Sequence, residues 1–185
     1  MNLFKILICF CLLTTNFFFS QGIFKTANDF RNSNYLLKSN VKSKFKVVPF
    51  GVFNSSKIKV KHGDSTFSFL KSEIYGYQDD EHSYRFYKGE RYTIINPSES
   101  ILIYSKIVLA GTKGNVPTEV YFFSQEAGSE ILPLTNQNLK TTFQGNTKFY
   151  DLLMLYFKKD SDLLAYDEIK KMYILNYLLH ISINS

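Results

Sequence analysis

Asp79, Asp80, Glu81 and His82 stand side by side in the stretch IYGYQDDEHSYRFYKGERY, residues 74–92. Three carboxylates and an imidazole are the residue types that hold a divalent cation or move a proton during hydrolysis. The run is therefore a candidate metal site, and the place where a small metal-dependent or hydrolytic enzyme would have its centre. The spacing argues against both. A metal needs ligands that converge, whereas neighbours along a strand point to opposite faces. A calcium loop draws on alternate positions and needs glycine at the sixth. Set between the aromatic runs EIYGY and SYRFY, the four residues fit the acidic tip of a β-hairpin better.

Other constellations are weaker. DSDLLAYDEIKK, from Asp160, matches a calcium-binding helix–loop–helix at Asp160 and Asp162 only. Leu164, Ala165 and Lys171 occupy its fifth, sixth and twelfth positions, so the segment is expected to start a helix. GTKG, Gly111 to Gly114, has the glycine spacing of a nucleic-acid backbone clamp. That clamp joins two helices, and here strand-like segments flank it, so no nucleic-acid partner is expected. His62, His82 and His180 are far apart, and neither a serine-nucleophile motif nor a phosphate-binding glycine loop accompanies them. No cofactor is implied, and no residue is assigned as catalytic.

The lysines carry the second candidate site. Lys57, Lys59 and Lys61 alternate with Ile58 and Val60, which is the pattern of a half-buried strand with a basic outer face. Lys42, Lys44 and Lys46 repeat the alternation. If the two strands are neighbours, six ammonium groups share one face. Such a face protects an edge against aggregation or binds an anionic glycan or lipid head group.

The elements that must position these residues follow a leader. MNLFKILICFCLLTTNFFFSQG places Lys5 ahead of an apolar run and small residues after it, the layout of a secretory signal peptide over residues 1–22. A cut after Gly22 puts Ser20 and Gly22 at the two small-residue positions; a cut after Ser20 leaves Phe18 at the upstream one. Both cysteines, Cys9 and Cys11, fall inside the leader. The mature chain then has no disulfide, thiol nucleophile or cysteine metal site. It must be held together by its core alone, and its remaining length suffices for one domain over 23–185. No membrane span is expected after cleavage. Lys and Arg number 22 against 16 acids over the whole chain, a balance too mild to point to nucleic acid but one that favours anionic surfaces.

Within 23–44, Thr26 or Asn28 can cap one helical turn that turns Phe30 inward. From 45 to 125 the apolar period is two. KIKVK, TFSFL, EIYGY, SYRFYK, RYTII, ILIYSKIVLA and TEVYFFSQ are separated by turn-forming segments, which predicts an antiparallel meander of about six or seven strands. EIYGY is expected to set Tyr75 and Tyr77 on one face. Over 135–182 the pattern is mainly helical: Thr135 or Asn136 caps a helix carrying Leu139 and Phe143. In the next segment Phe149, Leu152, Leu153, Tyr156 and Phe157 share a helical face. Residues 167–182 suit a helix through Ile169, Met172, Tyr173, Asn176 and His180, although MYIL suits a strand nearly as well. The fold class is α+β, with the meander first and helices last.

The segments IKVKHGD, EIYGYQD, YRFYKGERYTI and YFFSQ, ahead of LPLTNQNLKTTF, resemble short secreted proteins of unknown function from the Bacteroidota, which combine a signal peptide, a tyrosine-rich β region and a helical tail. The resemblance implies export to the periplasm or the extracellular space and supplies no activity or ligand. The sequence expectation is a non-enzymatic binding or structural module that meets an anionic envelope component or a partner protein. The alternative is the small enzyme near His82.

Overall fold

The computed structural model describes residues 20–39, 45–49, 55–110 and 116–184. Lys42, Lys44, the GTKG segment and residues 1–19 of the leader lie outside these described residues. The class is α+β. The chain opens with β1 (Gly22–Phe24), α1 (Ala27–Arg31) and β2 (Leu37–Lys38). A hairpin sheet follows, made of β3 (Phe45–Pro49), β4 (Lys57–His62) and β5 (Ser65–Leu70). The meander is β6 (Gly76–Gln78), β7 (Ser83–Tyr87), β8 (Glu90–Ile94), β9 (Leu102–Ala110), β10 (Val116–Ser124) and β11 (Leu132–Pro133). The C-terminal part contains α2 (Asn136–Thr142), α3 (Thr147–Tyr156), a 3₁₀ turn at Asp160–Leu164, the small ladder β12 (Tyr166–Asp167) with β13 (Met172–Tyr173), and α4 (Ile174–Ile183).

The expected single meander is two sheets. β3, β4 and β5 form their own three-stranded sheet, while the large sheet has eight strands in the order β11-β10-β9-β8-β7-β6-β1-β2. Pairing is antiparallel throughout. The surprise is β1, which enters between β6 and β2 rather than preceding the sheet. Three residues carry too little periodicity to be read in sequence. Their environment explains them: Ile23 and Phe24 are fully buried, and a Cβ on Gly22 would run into the Tyr35 ring and the Leu37 carbonyl. The turn after β1 follows from local chemistry. Thr26 accepts from the Asp29 N–H at 3.1 Å, and the Asp29 carboxylate accepts from the Thr26 N–H at 3.0 Å. This reciprocal cap starts α1 and points Phe30 into the core.

One cross-strand row shows how the faces are used. Leu37, Ile23, Tyr77, Tyr84, Thr93, Ser105 and Tyr121 are successive partners from β2 to β10. The aromatic and aliphatic half of this row packs against Phe45, Ile58 and Val60 of the three-stranded sheet. Beyond its other half, Ile103 and Phe123 pack against Leu139, Phe149, Leu153, Leu175 and Leu178 of the helices. Phe149 and Leu153 are each fully buried, and burial of such side chains contributes on the order of 2–3 kcal/mol apiece. The opposite face of the sheet, with Leu102, Tyr104, Ile94 and Phe24, is covered by Phe30, Tyr75, Ala127 and Ile131.

Three expectations are corrected. Tyr75 and Tyr77 lie on opposite faces: the Tyr75 N–H donates to the Phe24 and Lys25 carbonyls before β6 begins, so the pleat starts only at Gly76. Tyr75 then stacks on Phe30 with ring centroids 5.2 Å apart, and Tyr77 on Tyr84 at 4.5 Å. Ile169 is 93% exposed, in the turn between β12 and β13, because 167–182 holds both a strand at Met172–Tyr173 and a helix from Ile174. Tyr156, expected inside, is exposed at the end of α3.

α4 is fastened by two buried amides. The Ile101 N–H donates to Asn176 Oδ1 at 2.8 Å, and Asn176 Nδ2 donates to the Ile101 carbonyl at 3.0 Å. Asn96 Nδ2 donates to the same carbonyl at 2.8 Å and its Oδ1 accepts from the Ile103 N–H at 2.6 Å. Together they complete the backbone pairing on one side of the chain at the entry to β9, ahead of the Ile94–Tyr104 pair with β8, while β10 pairs with Leu102 and Ile103 on the other side. The other face is pinned by Arg85, which is 5% exposed. Its guanidinium donates to the Tyr104 hydroxyl at 3.0 Å and the Ser129 carbonyl at 2.8 Å, and it lies 5.3 Å from the ring centres of both Tyr75 and Tyr87.

Candidate functional site

Residues 79–82 form the loop that joins β6 and β7, closed by the Gln78–Ser83 pair. Asp79 is spent on the turn: its Oδ1 accepts from the N–H groups of Glu81 at 3.0 Å and His82 at 2.8 Å, and its own N–H donates to the His82 carbonyl at 3.0 Å. Asp80 faces elsewhere, accepting from the Gln21 side-chain amide. Glu81 approaches His82 Nδ1 at 3.8 Å, with both side chains largely exposed. The carboxylates thus look in different directions. Among the described residues no group of three histidine, cysteine or acidic side chains could hold a metal ion.

The lysines are brought together. Lys57, Lys59 and Lys61 are exposed along β4, while Ile58 and Val60 between them are buried. Lys46 on β3 is exposed and directly opposite Lys61. On the other side of β4, Lys61 faces Thr66 and Lys59 faces Ser68 in the register. Alternate residues on a strand are about 7 Å apart and strands about 4.8 Å apart, giving a lattice of ammonium groups on one outer face. Like charges directly opposite in a ladder are destabilising by a few tenths to about 1 kcal/mol.

A third place was not anticipated. A cavity of about 560 Å³ opens where the polar half of the cross-strand row is left uncovered. Thr93, Ser105 and Tyr121 line it from β8, β9 and β10, with Glu81, His82 and Glu119 also on its wall and Leu164 and Tyr173 contributed by the C-terminal part. Glu119 Oε2 accepts from the Tyr121 hydroxyl at 2.8 Å, and this bond raises the Tyr121 pKa. The sequence signal was present but faint. Ser105 interrupts the apolar run ILIYSKIVLA, and Thr93 alternates with the inward Tyr92 and Ile94. Only the register shows that these interruptions coincide.

The other histidines do not join this cavity. His62 Nε2 lies 3.1 Å from the Lys38 carbonyl. His180 contacts Asn184 and lines a smaller hollow of about 220 Å³ with Glu99. Burial pushes the Glu99 carboxyl above its ordinary range. One of its oxygens accepts from the Tyr173 N–H at 3.3 Å, and the other is buried without a partner among the described residues.

No family model, curated protein or solved structure matches the chain. Among the described residues no helix is long and apolar enough to cross a membrane.

Proposed function

We propose that this chain is an exported, non-enzymatic binding module that holds an anionic component of the cell envelope against the outer face of the three-stranded sheet. The leader-like pattern, the absence of cysteine after it and the likeness to short secreted proteins of the Bacteroidota support export. The observation that carries the binding reading is Lys46 opposite Lys61, with Lys59 and Lys57 exposed along the same face of β4. A face built this way sustains mutual repulsion, which a bound polyanion relieves.

The test is retention of the protein, recovered from cells expressing the full sequence, on a sulfated polysaccharide column and on phosphatidylglycerol vesicles. Binding is expected at low salt and is lost at about 0.5 M, where the screening length falls to roughly 4 Å. The combined variant K46Q/K57Q/K59Q/K61Q is expected to bind about tenfold or more weakly. Equal retention of variant and wild type would sink the proposal. The alternative, a small metal-dependent or hydrolytic enzyme near His82, draws support from the cavity that Glu81, His82 and Glu119 share. Against it, Glu81 is the one carboxylate that approaches the imidazole among the described residues, and Glu119 is already held by Tyr121.

A further inference from the structure

We infer that the cavity on the polar half of the cross-strand row is a binding site for a small polyhydroxylated ligand of mono- or disaccharide size. The inference is independent of the lysine face. Its starting point is Ser105. The inward positions leading into β9 run Ile101, Ile103, Ser105, and the first two are fully buried against the helices. A third aliphatic residue would extend that core. Instead a hydroxyl stands there, 8% exposed, without a hydrogen bond to any described residue. Its register partner Thr93 offers a second free hydroxyl beside it. Both stand on the wall of the cavity, with Thr93 half-buried, so two neighbouring hydroxyls, each able to donate and accept, are offered to a ligand that enters it.

The chemistry of the wall narrows the class. The volume lies within the range of small-ligand pockets. Among its described lining residues there is no lysine or arginine, and two carboxylates, Glu81 and Glu119, stand beside the single imidazole of His82, so the wall disfavours an anion. Thr93 and Ser105 both donate and accept, and the carboxylates of Glu119 and Glu81 accept only. That set matches a ligand with many O–H donors that also accept. The Tyr121 and Tyr173 rings supply apolar surface for the C–H face of a pyranose, with a polar handle at each edge. The Tyr121–Glu119 bond fixes one acceptor in advance, which lowers the ordering cost of binding.

The experiment titrates glucose, N-acetylglucosamine, glucosamine and tetramethylammonium into protein recovered from cells expressing the full sequence, with ligand-observed NMR and calorimetry as readouts. At least one of the sugars is expected to bind at millimolar concentrations or below. Thr93→Val and Ser105→Val remove one hydroxyl each while suiting a strand. Each is expected to weaken binding by about tenfold, the worth of one good hydrogen bond, without lowering the thermal midpoint. Ser105→Leu is expected to project into the cavity and weaken binding more than Ser105→Val does. If Ser105→Val fails to fold, Thr93→Val carries the test alone. Saturation by tetramethylammonium with no response to any sugar would overturn the assignment in favour of a cation site. So would sugar binding that neither valine variant changes, or no binding by any probe. Loss of polyanion retention in the lysine variant leaves sugar binding intact, so the two proposals fail separately.

Discussion

The Asn176 clamp offers the sharpest test of how the helical part is held to the sheet. Asn176→Leu conserves approximate volume and removes only the amide. Ile101 is fully buried, and its N–H has Asn176 Oδ1 as its side-chain partner. Its carbonyl keeps the Asn96 bond at 2.8 Å, so the acceptor stays satisfied while the donor is stranded. Two lost hydrogen bonds at about 1 kcal/mol each, with a further 1–3 kcal/mol for the stranded donor and a small gain from the added apolar area, give a loss of about 3 kcal/mol. For a chain of this size that lowers Tm by roughly 6–12 °C. Asn176→Asp extends the test. The introduced carboxylate still accepts from the Ile101 N–H, but it faces the Ile101 carbonyl and has Glu99 nearby, so its folded-state pKa rises above the unfolded value of about 3.9. The folded state then binds the proton more tightly than the unfolded state. Stability is therefore highest at acid pH and falls as pH rises through the folded-state value. Once protonated, the introduced carboxyl can also donate as the amide did. Urea unfolding followed by far-UV circular dichroism, at about pH 4 and about pH 7, reads both variants. A cost below about 1 kcal/mol for Asn176→Leu, or an Asn176→Asp deficit that grows on acidification, would refute the reasoning.

Two further outcomes are expected. Burial raises the Glu99 carboxyl above its ordinary range, so the folded state favours its protonated form, and wild-type stability is lost as pH rises from the ordinary carboxylate range through the folded-state value. Glu99→Gln should stabilise the protein at neutral pH and make no difference at about pH 3.5, below the unfolded pKa of about 4.3; a variant less stable than wild type at neutral pH contradicts this. Cleavage of the proposed leader should leave a chain that begins at Gln21. A cut after Gly22 would delete a residue paired with Lys38 and Gln78 and leave a charged amine on Ile23, which has no exposure, and an unpaired buried charge is costly. Intact-mass measurement decides this, and a folded species starting at Ile23 refutes it.

Local chemistry was legible where a few adjacent residues determine the outcome. The caps of α1 and α2 were legible to within two candidates each, of which Thr26 and Thr135 are the ones used, and the alternation of Lys57 to Lys61 with Ile58 and Val60 could be read directly. Features fixed by partners distant in the chain were not. β1 is a strand because β6 and β2 accept it on both sides, and no pattern within Gly22–Phe24 announces that. Tyr75 and Tyr77 separate because the backbone bends to reach Phe24 before the pleat begins. The partition into two sheets, with β3 to β5 packed across the face of the other, rests on which surfaces bury Phe45 and Val60 and not on strand period. The candidate sites divide in the same way. The DDEH run was conspicuous and became a turn, whereas Thr93 and Ser105 looked ordinary until the register set them side by side.

The closing contacts also bear on when the fold can form. Gln21 meets Asp80 across 59 residues, and Ile101 meets Asn176 across 75. Contacts of such separation slow folding, because loop entropy is lost before the contact rewards it. The first strand must wait for β6 to be made, and the clamp on β9 must wait for the last turns of the chain. For a chain proposed to cross a membrane, contacts that close only when the last turns are available favour completion of the fold after translocation.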